Sequence, residues 1–109
     1  MATVIPIEDL QVSPTAALFQ GREDAPVSIF VTEYRHGQGP SLHYHPYPEV
    51  FVVLTGMAAF TAGDEEIVVA GGHVVVVPAE TPHGFRGAGD DTLQVVSVHP
   101  SPTVQQTDL

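Results

Sequence analysis

Proline and glycine, ten of each in 109 residues, fall at such short intervals that this chain has almost nowhere to build a helix. The longest proline-free stretch, Glu49–Val77, is itself cut by Gly56, Gly63, Gly71 and Gly72. A glycine costs a helix interior about 1 kcal/mol against alanine, so no amphipathic helix of useful length fits there. Thr15–Phe19 has room for one helical turn at most. Between the breakers lie runs rich in β-branched residues: Val27–Tyr34, Val50–Thr55, Glu66–Ala70, Val74–Val77 and Thr92–Val98. Short apolar runs bounded by turn formers read as strands. Ala58–Thr61 and Ile67–Val69, joined across Gly63-Asp64-Glu65, read as a hairpin. Leu18–Gln20 and Val27–Val31, joined by Gly21–Pro26, read as another. Many short, evenly spaced strands predict one all-β domain over residues 1–109, a sandwich or barrel. The last ten residues, PSPTVQQTDL, have little to bury and are expected to form a flexible tail or an arm for a partner subunit.

Composition then removes whole classes of chemistry. There is no cysteine, so there is no disulfide frame, thiolate nucleophile or Cys-ligated zinc. The three basic residues are all arginines, so a lysine Schiff base and a P-loop are excluded. A formal charge of −10 argues against nucleic acid and against an anionic membrane surface. The opening MATVIPIEDLQ has neither a basic n-region nor a long apolar run, so the expected location is cytoplasmic. What remains is six histidines beside thirteen carboxylates.

Several of these converge. In a strand, His43 and His45 place both imidazoles on one face with Tyr44 on the other. Pro46-Tyr47-Pro48 must turn the chain, and a strand restarting at Glu49 puts Glu49, Phe51 and Val53 on one face. Two neutral imidazoles and a carboxylate suit a divalent metal. His83, on the same face as Phe85, becomes a third imidazole if its strand lies beside or opposite the first segment. Such a set leaves coordination positions open, whereas structural zinc is normally closed by four tetrahedral ligands.

These segments resemble the two motifs of the cupins, small double-stranded β-helix (jelly-roll) barrels. Their first motif is Gly, five residues, His-x-His, three or four residues, Glu, six residues, Gly. Gly37, His43, His45, Glu49 and Gly56 match it at every position. Their second is Gly, five residues, Pro-x-Gly, two residues, His, three residues, Asn. Gly72, Pro78 and His83 match, while Glu80 replaces the Gly and Gly87 the Asn. Glu80 is strained if that position needs a positive φ. The chain is accordingly similar to small single-domain (monocupin) metalloproteins.

The resemblance implies one divalent transition metal per chain (Fe, Mn, Ni, Cu or Zn) on His43, His45, Glu49 and His83. It implies chelation of a small oxygenated substrate, such as an enol, diketone, carboxylate or sugar derivative. Dioxygenase chemistry, or non-redox isomerase, cyclase or lyase chemistry, would follow; the rival is a binding protein that holds a ligand for sensing or storage. Three neutral histidines, one glutamate and a divalent ion sum to about +1, so an anionic substrate is not excluded. Phe51, Phe85 and Tyr34 are expected on the pocket wall, although Tyr34 and Arg35 cannot both face inward. His99 is the expected acid–base group at the mouth. His36 and His73 are expected to be solvated, as are Glu23-Asp24, Asp64-Glu65-Glu66 and Asp90-Asp91. A homodimer is expected, cyclic dimers being the commonest assembly.

Overall fold

The computed structural model describes residues 1–109. A single 3-10 turn, Ile7–Leu10, precedes eleven strands: β1 Gln11–Ser13, β2 Ala16–Phe19, β3 Ser28–Tyr34, β4 His43–Tyr44, β5 Glu49–Thr55, β6 Met57–Ala62, β7 Glu65–Ala70, β8 His73–Val77, β9 His83–Gly87, β10 Leu93–His99 and β11 Thr107–Asp108. The stretch from Thr15, which has room for a helical turn, enters β2 at Ala16 and stays extended. Both expected hairpins form, with Leu18 opposite Phe30 and Phe60 opposite Ile67.

The strands form a six-stranded sheet, β1-β2-β3-β10-β5-β8, and a five-stranded sheet, β11-β4-β9-β6-β7. This is the double-stranded β-helix arrangement, but the expected closed barrel is not formed. Both sheets keep their edges, and the reason lies in the edge strands. On one side the edge strand β11 and its neighbour β4 have two residues each, and Pro40 and Pro46 flank β4 without an N–H to extend the ladder. On the other side β7 and β8 are consecutive, yet the Gly71 and Gly72 amides between them bond to Gly56 and Val53 carbonyls. The turn is thereby tied to the β5–β6 corner, and no β7–β8 ladder joins the sheets.

Strand parity decides what lies between the sheets. Glu49, Phe51 and Val53 of β5 are buried while Val50 and Val52 are not, and Leu93, Val95, Ser97 and His99 alternate inward on β10. Phe51 meets Phe60 and Phe85 of the opposite sheet at centroid distances of 5.1 and 5.5 Å, edge to face. This aromatic layer, with Val53, Val77, Leu93 and Val95, is the core, and the metal-type residues lie just beyond it. On the outer face of the six-stranded sheet, Val50, Val98 and Val76 form one cross-strand row and Val52, Val96 and Val74 a second.

Two backbone positions shape the approach to His83. Glu80 has φ of +64°, the left-handed conformation that a β-carbon disfavours. Its amide nevertheless donates to the His45 carbonyl at 2.8 Å, tying this turn to the loop that carries His45. Gly87 has a different reason to be glycine: a β-carbon there would lie 2.5 Å from the Arg35 carbonyl oxygen. The residue answers to close backbone packing rather than to ligation.

Candidate metal centre

His43 on β4 pairs directly with His83 on β9, both in the five-stranded sheet, and Glu49 opens β5 in the facing sheet. His45 sits on the loop just after β4, before Pro46-Tyr47-Pro48 turns the chain into β5. One ligand atom from each of His43, His45, Glu49 and His83 lies within 4.8 Å of the others, and all four residues are buried. The spacing read from the sequence brings these four groups together.

Hydrogen bonding orients the rings. The Nδ1 atoms of His43, His45 and His83 each lie 2.7 Å from a backbone carbonyl oxygen, of Ser41, Gln105 and Thr81 respectively. A carbonyl oxygen only accepts, so each Nδ1 carries the hydrogen and each Nε2 is left with a lone pair. The Nε2 atoms of His45 and His83 then stand 2.9 and 3.0 Å from Glu49 Oε1. Three acceptor atoms in that space require a cation or protons between them. His45 Nε2 is, in addition, buried without a hydrogen-bond partner. An orphaned, dry imidazole nitrogen among acceptors is what a metal ligand lacks until the ion is counted, and the donor set fits a divalent transition metal.

The electrostatics agree. Burial raises the Glu49 carboxyl, but contacts with His45, His83 and His99 outweigh it and hold the group well below the usual carboxylate range. Burial lowers His43, the neighbouring His83 and His45 lower it further, and the Ser41 carbonyl and Glu49 oppose them without reversing the shift. Burial also lowers His45, but the Glu49 carboxylate and Gln105 carbonyl more than offset it and raise the ring above its ordinary value. Glu49 therefore stays ionised while His43 resists protonation.

The cluster opens on a cavity of about 230 Å³. His43, Glu49 and His99 line its polar side, and Phe51, Phe85 and Tyr34 line much of the rest. Tyr34 thus faces inward, while Arg35 is exposed. His99 is buried; its Nε2 lies 3.1 Å from Glu49 Oε2 and its Nδ1 2.8 Å from the Tyr47 hydroxyl. His36 and His73 are exposed, bonded to the Gly89 and Ala70 carbonyls, and the three acidic runs are exposed as well.

Sequence reasoning missed Tyr47, whose ring stacks on His45 at 5.1 Å between centroids. Its place between two prolines marks a rigid turn but does not say what the ring meets. It also missed the C-terminal segment. Residues 100–109, expected as a flexible tail or an arm, run back over the site: Gln105 bonds His45, Gln106 lines the cavity, and β11 pairs with β4.

Two facing sheets and a buried cluster of three histidines and one glutamate define a double-stranded β-helix protein with a metal-type site. Residues 30–99 match the family described as Cupin domain, and the chain belongs to that family. Among relatives it is 33% identical over 81 residues to protein SchB of Streptomyces halstedii, covering 72% of this chain and 57% of that protein. It is 33% identical over 76 residues to polyketide synthase CurC of Streptomyces cyaneus, covering 69% and 49%. The chain thus spans about half the length of these relatives.

Two solved structures share the fold. Oxalate decarboxylase of Lactobacillus farciminis, in a formate complex, has a TM-score of 0.78 at 20% identity over 94% of this chain and 34% of that one. An uncharacterized conserved protein with a double-stranded β-helix domain from Klebsiella pneumoniae has a TM-score of 0.78 at 15% identity, over 95% and 88%. The site is able to bind one divalent metal and is consistent with metal-dependent catalysis. No helix is long and apolar enough to cross a membrane.

Proposed function

We propose that this chain is a metal-dependent enzyme acting on a small, enolisable oxygenated substrate that chelates through two oxygens, with non-redox cyclase, isomerase or lyase chemistry. The observation that carries the reading is that two members of the metal-type cluster, His43 and Glu49, lie on the wall of an aromatic-lined cavity. A divalent ion on His43, His45, Glu49 and His83 would supply Lewis-acid polarisation of a substrate oxygen. Phe51, Phe85 and Tyr34 exclude water and give the carbon skeleton an apolar wall. His99 is the group we assign to hold or move the substrate's proton, with the Tyr47 hydroxyl behind it to resupply one.

The cavity is smaller than the roughly 300 Å³ at which pockets for drug-sized ligands begin. A short dicarbonyl fits whole, and a longer poly-carbonyl chain would present only its chelating end. The similarity to a protein named as a polyketide synthase supports a ketone-bearing substrate over sugars.

The test loads the full chain in turn with Mn, Fe, Ni, Cu or Zn and offers pentane-2,4-dione and longer 1,3-dicarbonyls, with and without air. Metal-dependent binding with turnover under argon is the expected result. Turnover that consumes oxygen would make it a dioxygenase, and tight binding without turnover a sensing or storage protein. Failure to hold any of the five metals would overturn the reading altogether.

A further inference from the structure

Glu49 offers two oxygens to the site, and the structure treats them differently. Oε1 faces the ligand nitrogens of His45 and His83, while Oε2 lies 3.1 Å from His99 Nε2. A carboxylate only accepts, so His99 Nε2 carries the hydrogen and donates to Oε2. His99 Nδ1 then accepts from the Tyr47 hydroxyl at 2.8 Å, and the Tyr47 oxygen accepts from the Gln105 amide at 3.2 Å. Every donor and acceptor in this chain is satisfied in one direction, from backbone to carboxylate. His99 is consequently the opposite tautomer from the three ligand histidines, each of which donates from Nδ1.

The backbone of one residue, Gln105, reaches the site twice. The Gln105 amide holds Tyr47, and its carbonyl accepts from His45 Nδ1. Tyr47 in turn lies flat on His45, with 4° between the ring planes. One tyrosine and the backbone of one residue thus fix a ligand imidazole and, through His99, the ligand carboxylate.

We propose that Tyr47 and His99 are positioning residues that keep Glu49 Oε2 occupied, so that Glu49 ligates through Oε1 alone, and that the Gln105 peptide holds this array in place. With one carboxylate oxygen withheld, a six-coordinate ion would keep two adjacent positions for a chelating substrate rather than one. The proposal rests on the metal reading above.

Cobalt(II) supplies the test, because its visible bands report coordination number without any substrate. The full chain and its His99→Leu, His99→Gln and Tyr47→Phe variants are titrated with Co(II), and the metal-free melting of each checks the fold. Glutamine keeps a donor where His99 Nε2 stands; leucine does not. His99→Leu and Tyr47→Phe should weaken Co(II) binding by roughly 10–100-fold, the usual cost of losing a partner behind a metal ligand. Both should also shift the visible bands as Oε2 becomes free to ligate. His99→Gln should restore affinity to within about threefold and return the bands to the parent's. Unchanged bands and affinity in the leucine and phenylalanine variants, or a glutamine variant as impaired as the leucine one, would overturn the positioning role. A parent chain that binds no Co(II) would remove the metal reading beneath it. Should His99→Leu fail to fold, Tyr47→Phe, which removes one oxygen from a half-buried ring, decides alone.

Discussion

Glu80 occupies a left-handed turn three residues before a metal-site histidine, and its replacement by glycine should stabilise the protein. At φ of +64° its β-carbon crowds the following carbonyl, a cost of about 1–2 kcal/mol relative to a residue without one. Glycine relieves that strain but returns about 0.5–1 kcal/mol through the greater freedom of the unfolded chain. The Glu80 side chain is exposed, so no packing is lost. The amide that bonds the His45 carbonyl is backbone and survives the substitution. The net gain is about 0.5–1 kcal/mol, or roughly 2–4 °C in melting temperature for a domain of this size. Thermal unfolding of the metal-free chain is the assay, with Glu80→Ala as the control. Alanine keeps the β-carbon and should melt within about 1 °C of the parent, well inside the shift expected for glycine. A glycine variant no more stable than the parent, or an alanine variant equally stabilised, would refute the strain argument.

The ligand assignment makes a blunter prediction. His45→Ala or His83→Ala should cut metal stoichiometry from about one ion per chain to a small fraction while far-UV dichroism stays β-type, and undiminished metal in both would reject the site. The pH dependence follows from the shifted groups. Glu49 is depressed in the folded state, so its contribution is present above its unfolded value of about 4.3 and is lost as pH falls further. In metal-free protein the parent should therefore lose melting temperature more steeply than Glu49→Gln between about pH 5 and 3. Parallel curves would contradict it. His45 is raised, so its contribution is present below about 6.5 and disappears as pH rises through the folded value.

How much of this was legible in the sequence follows from which interactions are local. Parity along a strand is local, and it correctly put Glu49, Phe51 and Val53 on one face and His43 and His45 together. The strain at Glu80 was legible only through the resemblance, whose second motif has glycine at that position. Closure was not. Whether β7 and β8 pair depends on where the Gly71 and Gly72 amides go, and they go to residues more than ten positions away. The role of Tyr47 was hidden for the same reason, since its hydroxyl meets His99 and Gln105, each more than fifty residues distant. Residues 100–109 look idle by hydrophobicity, because what docks them is hydrogen bonding by backbone groups, which no composition records.

The open sheets give the site its meaning. His43 and His83 belong to the five-stranded sheet and Glu49 to the six-stranded one, so an ion on these groups would bridge sheets that share no ladder. Beneath it the Phe51–Phe60–Phe85 layer already presses the sheets together and seals one side from water, with Phe51 5.8 Å from the His83 ring. The other side is the cavity, closed in part by Gln106 of the returning C-terminal segment. A carboxylate enclosed this way cannot be neutralised by water: His99 donates to its Oε2, while Oε1 faces the lone pairs of His45 and His83 and is left for a cation. The −10 charge of the chain belongs mostly to exposed turns, whereas the pocket holds one carboxylate among four histidines. A divalent ion there would make the pocket locally positive, so the enolate or carboxylate proposed as substrate would bind inside a protein whose surface repels it.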